Sequence, residues 1–176
     1  HYTFEFARRA EQLKMPVIDS SRAILACSNK LYLYELMVRS GVPMPPTTVV
    51  TRRGRQHVDE LVQRLGLPLM VKIPDGRRYR PDPGNRIRRR KHPLDMSRIE
   101  ALPLSEVPER VLQTARRAVH QLGNGLFGVD LRQQGQGCVL LEIIDNPWIR
   151  GDIEDREAKD LYERLARAFR QRLENR

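Results

Sequence analysis

Two short apolar runs separated by Gly135-Gln136-Gly137 constrain this chain more than any other feature in it. Residues 125–132 and 138–144 alternate apolar and polar side chains as a half-buried strand does, and a three-residue loop with glycine at a left-handed position joins such strands as a hairpin. Counting outward from that loop sets Gln134 opposite Cys138 and Asp130 opposite Glu142. Phe127, Val129, Leu131, Val139, Leu141 and Ile143 then share one face, which requires a core. Asp130, Arg132 and Glu142 share the other. Directly opposed carboxylates repel unless something compensates them. Two compensators stay open on geometry alone: a divalent cation held by carboxylate oxygens, or Arg132 neutralising the pair on an exposed hairpin.

Around the hairpin, periodicity predicts a mixed α+β chain without internal repeats. Residues 4–14 carry a helical stripe that stops before Pro16. Ser20 or Ser21 caps a second helix through Ile24 and Leu25, and Asn29-Lys30 opens a third that ends at Gly41, with Pro43, Pro45 and Pro46 preventing its resumption. Residues 47–50 and 69–73 have strand composition, and residues 58–65 read as a helix closed by Gly66. Lys72 is the one charge in its strand; it either snorkels at the end or reaches into a site. Ser105 is the candidate cap for a helix with Pro108 in its first turn, and Gly123 and Gly125 end that helix before the hairpin. A last helix, from about residue 156 to 173, is expected to bury Leu161, Leu165, Ala168, Phe169 and Leu173 along one side.

Between residues 77 and 100 the periodicity vanishes. Turn formers are followed by a basic run, and Arg77, Arg78, Arg80, Arg86, Arg88, Arg89, Arg90 and Lys91 carry much of the net charge of +10. Such a charge raises nucleic acid as a partner, but Tyr79 is the only aromatic in the run and base-stacking platforms need more. A solvated basic loop is the favoured reading of that segment. No apolar run reaches the roughly 20 residues that span a bilayer. Cys27 and Cys138 lie in unrelated segments and lack metal-ligand spacing, so two buried free thiols and a reducing, cytoplasmic setting are expected. The four histidines, His1, His57, His92 and His120, show no pairing with a nucleophile.

Several separated pieces fall in the order of one family. Residues 6–50, the 69–76 strand and turn, 125–131, and 142–147 running on through 153–155 resemble an ATP-grasp ligase of the RimK type, similar to ribosomal-protein glutamate ligases and bacterial glutathione synthetases. The resemblance implies an ATP- and magnesium-dependent carboxylate–amine ligase working through an acyl-phosphate, with an amino acid, peptide or protein among its carboxylate and amine substrates. It implies that Lys30 and Lys72 reach nucleotide phosphates and that Asp130 and Glu142 hold magnesium; it assigns no catalytic side chain. It also implies a fold of two lobes, a mostly antiparallel C-terminal sheet flanked by helices. The chain divides accordingly into residues 1–76, a basic Pro/Arg-rich loop at 77–101 where the family carries its lid, and a C-terminal lobe at 102–176.

Two departures from the family pattern stand out. The family has an asparagine two residues after the metal-binding glutamate, and here that position is Ile144; a bend before Pro147 offers Asn146 as the substitute ligand. The family's lid and preceding domain have no counterpart in the sequence, which begins at His1. These departures motivate an alternative from another class: an inactive ATP-grasp-like scaffold or assembly protein that binds an acidic protein or RNA through its basic segment. A homo-oligomer is compatible with either reading.

Overall fold

A computed structural model describes residues 2–51, 58–72, 74, 100–151, 153–154, 158 and 160–174. The elements are α1 (Tyr2–Gln12), α2 (Ser21–Ser28), α3 (Lys30–Arg39), α4 (Val58–Leu65), α5 (Glu109–His120), β1 (Gly128–Gln134), β2 (Gly137–Ile144) and α6 (Leu161–Glu174), with a 3-10 turn at Leu104–Glu106. The class is α+β: the described residues include six α-helices and a two-stranded antiparallel sheet. No helix among them is long and apolar enough to cross a membrane. The basic segment at 77–99, His1, His57, His92 and the 155–157 start expected for the last helix lie outside the described residues.

Local chemistry fixes the helix starts. Ser20 Oγ accepts the Ala23 N–H at 3.2 Å, and Asn29 Oδ1 accepts both the Leu31 and Tyr32 N–H groups at 3.1 Å. Each cap satisfies amides that the first turn leaves without helical partners and contributes about 1 kcal/mol. Glu11 adds a tie from α1, accepting from Ser21 N at 2.8 Å and Ser21 Oγ at 2.5 Å. Ser105 is not a cap: it sits in the 3-10 turn, and α5 starts at Glu109 with Pro108 in the capping position and no side-chain cap bond. Proline fixes φ and pre-forms a helix entry without needing its missing N–H.

Residues 47–50 and 69–72 form no ladder. Strand composition marks a segment that suits a sheet, and pairing requires a neighbour; here Val49, Val50, Met70 and Val71 are exposed. One core serves both sides of the basic segment. Ala23, Ala26, Cys27, Leu33, Met37 and Val42 pack with Ala118, Leu122, Leu140 and Ile143, and Phe127, Val129 and Leu131 lie against them. α2 touches α1, α3 and β2, while α5 lies against both strands. Cys27 and Cys138 are both buried and free. The last helix departs from expectation: α6 has no buried residue, Leu161 and Leu165 are half-buried, and Phe169 and Leu173 are exposed. Amphipathic spacing marks a face that suits a core, and burial also requires a neighbour to cover it.

The hairpin reaches its expected pairing by a different route. Its loop has two residues, Gly135 and Gln136, so Gln134 lies opposite Gly137 and Gln133 opposite Cys138. Gly135 takes φ +54° at the first central position, where a two-residue hairpin turn of type II′ demands glycine. That shorter loop moves the register by one, and Leu131 then faces Leu140. A bulge between Asp130 and Leu131 on the β1 side absorbs Leu141 on β2 and returns Asp130 to Glu142 and Val129 to Ile143. The buried positions of β2 are therefore Cys138, Leu140 and Ile143, whereas strict alternation selects Val139 and Leu141.

Candidate functional site

The Asn29 cap makes Lys30 the first residue of α3, and its backbone N–H donates to the Pro74 carbonyl at 2.8 Å. This bond holds Pro74 against the start of α3. Lys30 and Lys72, from separate segments, thereby meet on β2. Lys30 Nζ donates to Glu142 Oε1. Lys72 Nζ lies 3.5 Å from Glu142 Oε2 and donates to the Leu141 carbonyl at 3.0 Å. Leu141 is the bulge residue, with no opposite number on β1, so the same irregularity that restores the Asp130–Glu142 pairing supplies an acceptor for the second lysine.

The three side chains are partly buried, each about one-third exposed. Burial opposes ionisation of Glu142, but the Lys30 bond and the Lys72 charge outweigh it, and its carboxyl is held below the usual carboxylate range. The lysines supply the compensation that opposed carboxylates require. Arg132 does not: it lies opposite Val139, and no ion pair joins it to Asp130 or Glu142 among the described residues. Lys72 accordingly turns its ammonium toward Glu142 and the Leu141 carbonyl rather than into bulk water.

Asp130 lies across the ribbon from Glu142, exposed. Among the described residues there is no group of three or more His, Cys, Asp or Glu side chains that could hold a metal ion. Two carboxylates suit magnesium in one setting, with phosphate oxygens and water completing an octahedron, and magnesium is commonly held in that way. Ile144, opposite Gly128 and 40% exposed, lies beyond the buried Ile143 on the Glu142 side of the strand. Its hydrocarbon offers no ligand there.

Asn146 follows the strand end at the mouth of a second cleft. It lines a cleft of about 420 Å³ together with Asp19, Asp145 and Arg172, and no described hydrogen bond carries it to Glu142 or Asp130. Sequence reading overlooked Asp19, Asp145 and Arg172 as a group, because they lie far apart along the chain. The one local signal was an isolated acid, Asp19, immediately before a helix cap. No family model matches this chain, and no curated protein matches it.

Proposed function

We propose that the chain binds magnesium–ATP at the Lys30–Lys72–Glu142–Asp130 cluster and serves carboxylate–amine ligation of the RimK ATP-grasp type. The observation that carries this reading is the convergence of two lysines from separate segments on one carboxylate, with a second carboxylate directly across the ribbon. Two ammonium groups side by side are what a polyphosphate needs, and two acids beside them are what its counter-cation needs. In the free protein Glu142 occupies both lysines. A triphosphate would take their donors and release the Glu142 carboxylate toward a cation shared with Asp130.

Phosphoryl transfer to a carboxylate depends on positioning and on cations that neutralise developing charge. Magnesium would supply that neutralisation between phosphates, held by Asp130 and Glu142. Lys30 and Lys72 would orient the phosphate chain, Lys30 from a helix start and Lys72 from a segment tied to that start through Pro74.

The second reading is a static scaffold, favoured by two observations: Lys30, Lys72 and Glu142 already satisfy one another, and Ile144 contributes no ligand on their side. Titration calorimetry of ATP with and without magnesium separates the two. Magnesium-dependent binding that weakens about tenfold or more in Lys30→Met and in Lys72→Met supports the ligase reading. No magnesium-dependent binding, or binding that both substitutions leave unchanged, overturns it.

A further inference from the structure

We propose that the cleft beside the 124–126 turn binds the zwitterion of a free α-amino acid with an apolar side chain. The turn between α5 and β1 holds an acid and a base in place. The Leu126 N–H donates to Asp19 Oδ1 at 2.6 Å, and the Asn124 carbonyl accepts from Arg172 Nη2 at 2.8 Å. Gly125 makes this approach feasible, since a Cβ there would stand 2.0 Å from Asp19 Oδ1 and 2.7 Å from Phe127 Cζ.

Asp19 is 4% exposed, the sole buried charged residue among the described residues. Its Oδ1 is taken by Leu126, while Oδ2 has no donor among them. Asp19 itself lines the cleft. Asp145 and Arg172 line the same cleft, and the charges of both act on Asp19. Arg172 nevertheless closes no ion pair with either acid among the described residues.

The result is a concave space with two acids and one guanidinium that face it without neutralising one another. Ile18, Leu126, Phe169 and Leu173 provide apolar walls. Its volume of about 420 Å³ lies within the usual range of small-ligand sites, where a few convergent polar groups orient a molecule against an apolar lining. An ammonium beside Asp19 and Asp145 would compensate the excess negative charge. A carboxylate on the same carbon would take donors of Arg172 that Asn124 leaves free, and a hydrocarbon side chain would cover Phe169 and Leu173. The assignment is independent of the nucleotide reading, and its test uses no ATP or magnesium, so either can fail alone.

Calorimetric titration of the full chain with L-leucine, N-acetyl-L-leucine and L-leucine methyl ester tests it. L-Leucine is expected to bind at a single site, and removing its ammonium or its carboxylate is expected to weaken binding by about tenfold or more, as for the loss of one charge-assisted hydrogen bond. Asp145→Asn is expected to weaken L-leucine binding, and Arg172→Gln to remove the preference for L-leucine over its methyl ester, with circular dichroism showing both variants folded. No binding of L-leucine, equal affinity for leucine and its methyl ester in the unsubstituted protein, or affinity unchanged by both substitutions overturns the proposal.

Discussion

Lys72 Nζ donates to the carbonyl of Leu141 at 3.0 Å, and Leu141 is the one residue of β2 that the ladder leaves without an opposite number. The bulge thus has two effects: it corrects the phase of the strand, and it offers a backbone acceptor to a lysine that also faces Glu142. Deleting Leu141 should leave Cys138 and Leu140 facing the core and Asp130 opposite Glu142, because the extra residue is the one removed. Cross-strand contacts between Asp130 and Glu142 are expected to persist by nuclear magnetic resonance. Loss of those contacts would show that the bulge does not set the register.

The same phase decides which side chains are expensive to truncate. Leu140 is fully buried whereas Val139 is not, so Leu140→Ala should cost about 3 kcal/mol in chemical denaturation. Val139→Ala should cost under about 1.5 kcal/mol. The reverse order would restore the strict alternation that the sequence suggests.

Glu142 has its pKa lowered against the pull of burial by Lys30 and Lys72. A group with a depressed folded pKa adds stability above its unfolded value, near 4.3 for glutamate, and loses it as pH falls through the folded value. Glu142→Gln should therefore be less stable than the parent at neutral pH, by about 1 kcal/mol for a partly exposed ion cluster. The difference should shrink toward zero in acid, and a difference that grows on acidification would contradict the assignment.

Asp19 has the opposite sign. Burial, with Asp145 adding to it, raises its pKa against the Leu126 hydrogen bond and the Arg172 charge. Its protonated form is favoured in the folded state, so that contribution is present below the unfolded value, near 3.9, and is lost as pH rises through the folded value. Asp19→Asn keeps an oxygen acceptor for Leu126 and should gain on the parent as pH rises above the unfolded value and through the folded one. Asp19→Ala leaves that amide without its acceptor and should cost about 1–3 kcal/mol. Equal stability of the two variants at neutral pH would remove the Leu126 bond from the account.

Cys27 is pushed up to about 12 by burial, with Asp145 and Asp19 adding to it. Because the thiolate is the reactive form, Cys27 should resist thiol reagents in the native protein near pH 8 and react once the chain is unfolded. Rapid native labelling at Cys27, located by peptide mass spectrometry, would show that the core around α2 opens.

Converting Ile144 to asparagine tests the ribbon itself. The position is 40% exposed and β-paired with Gly128, so the change should cost little stability. In the ligase reading it adds a ligand beside Glu142 and should raise magnesium affinity in the presence of ATP about tenfold or more. An unchanged affinity would place the metal, if one binds, away from this face.

A helix cap at Ser20 or Ser21, the helix start at Asn29-Lys30, the helix stop at Gly41, the hairpin between the two apolar runs and the pairing of Asp130 with Glu142 were legible in the sequence, because each depends on residues a few positions apart. Other features depend on what a segment meets. Strand composition at residues 47–50 and 69–72 gained no ladder, and the apolar stripe of α6 is only partly covered. The bulge was invisible because a two-residue loop plus one extra residue gives the same Asp130–Glu142 pairing as a three-residue loop. Only the tertiary structure put Lys30 and Lys72 on Glu142 and assembled Asp19, Asp145 and Arg172 around one turn. Spacing along the chain carries no record of such meetings, which packing and a few long-range hydrogen bonds determine.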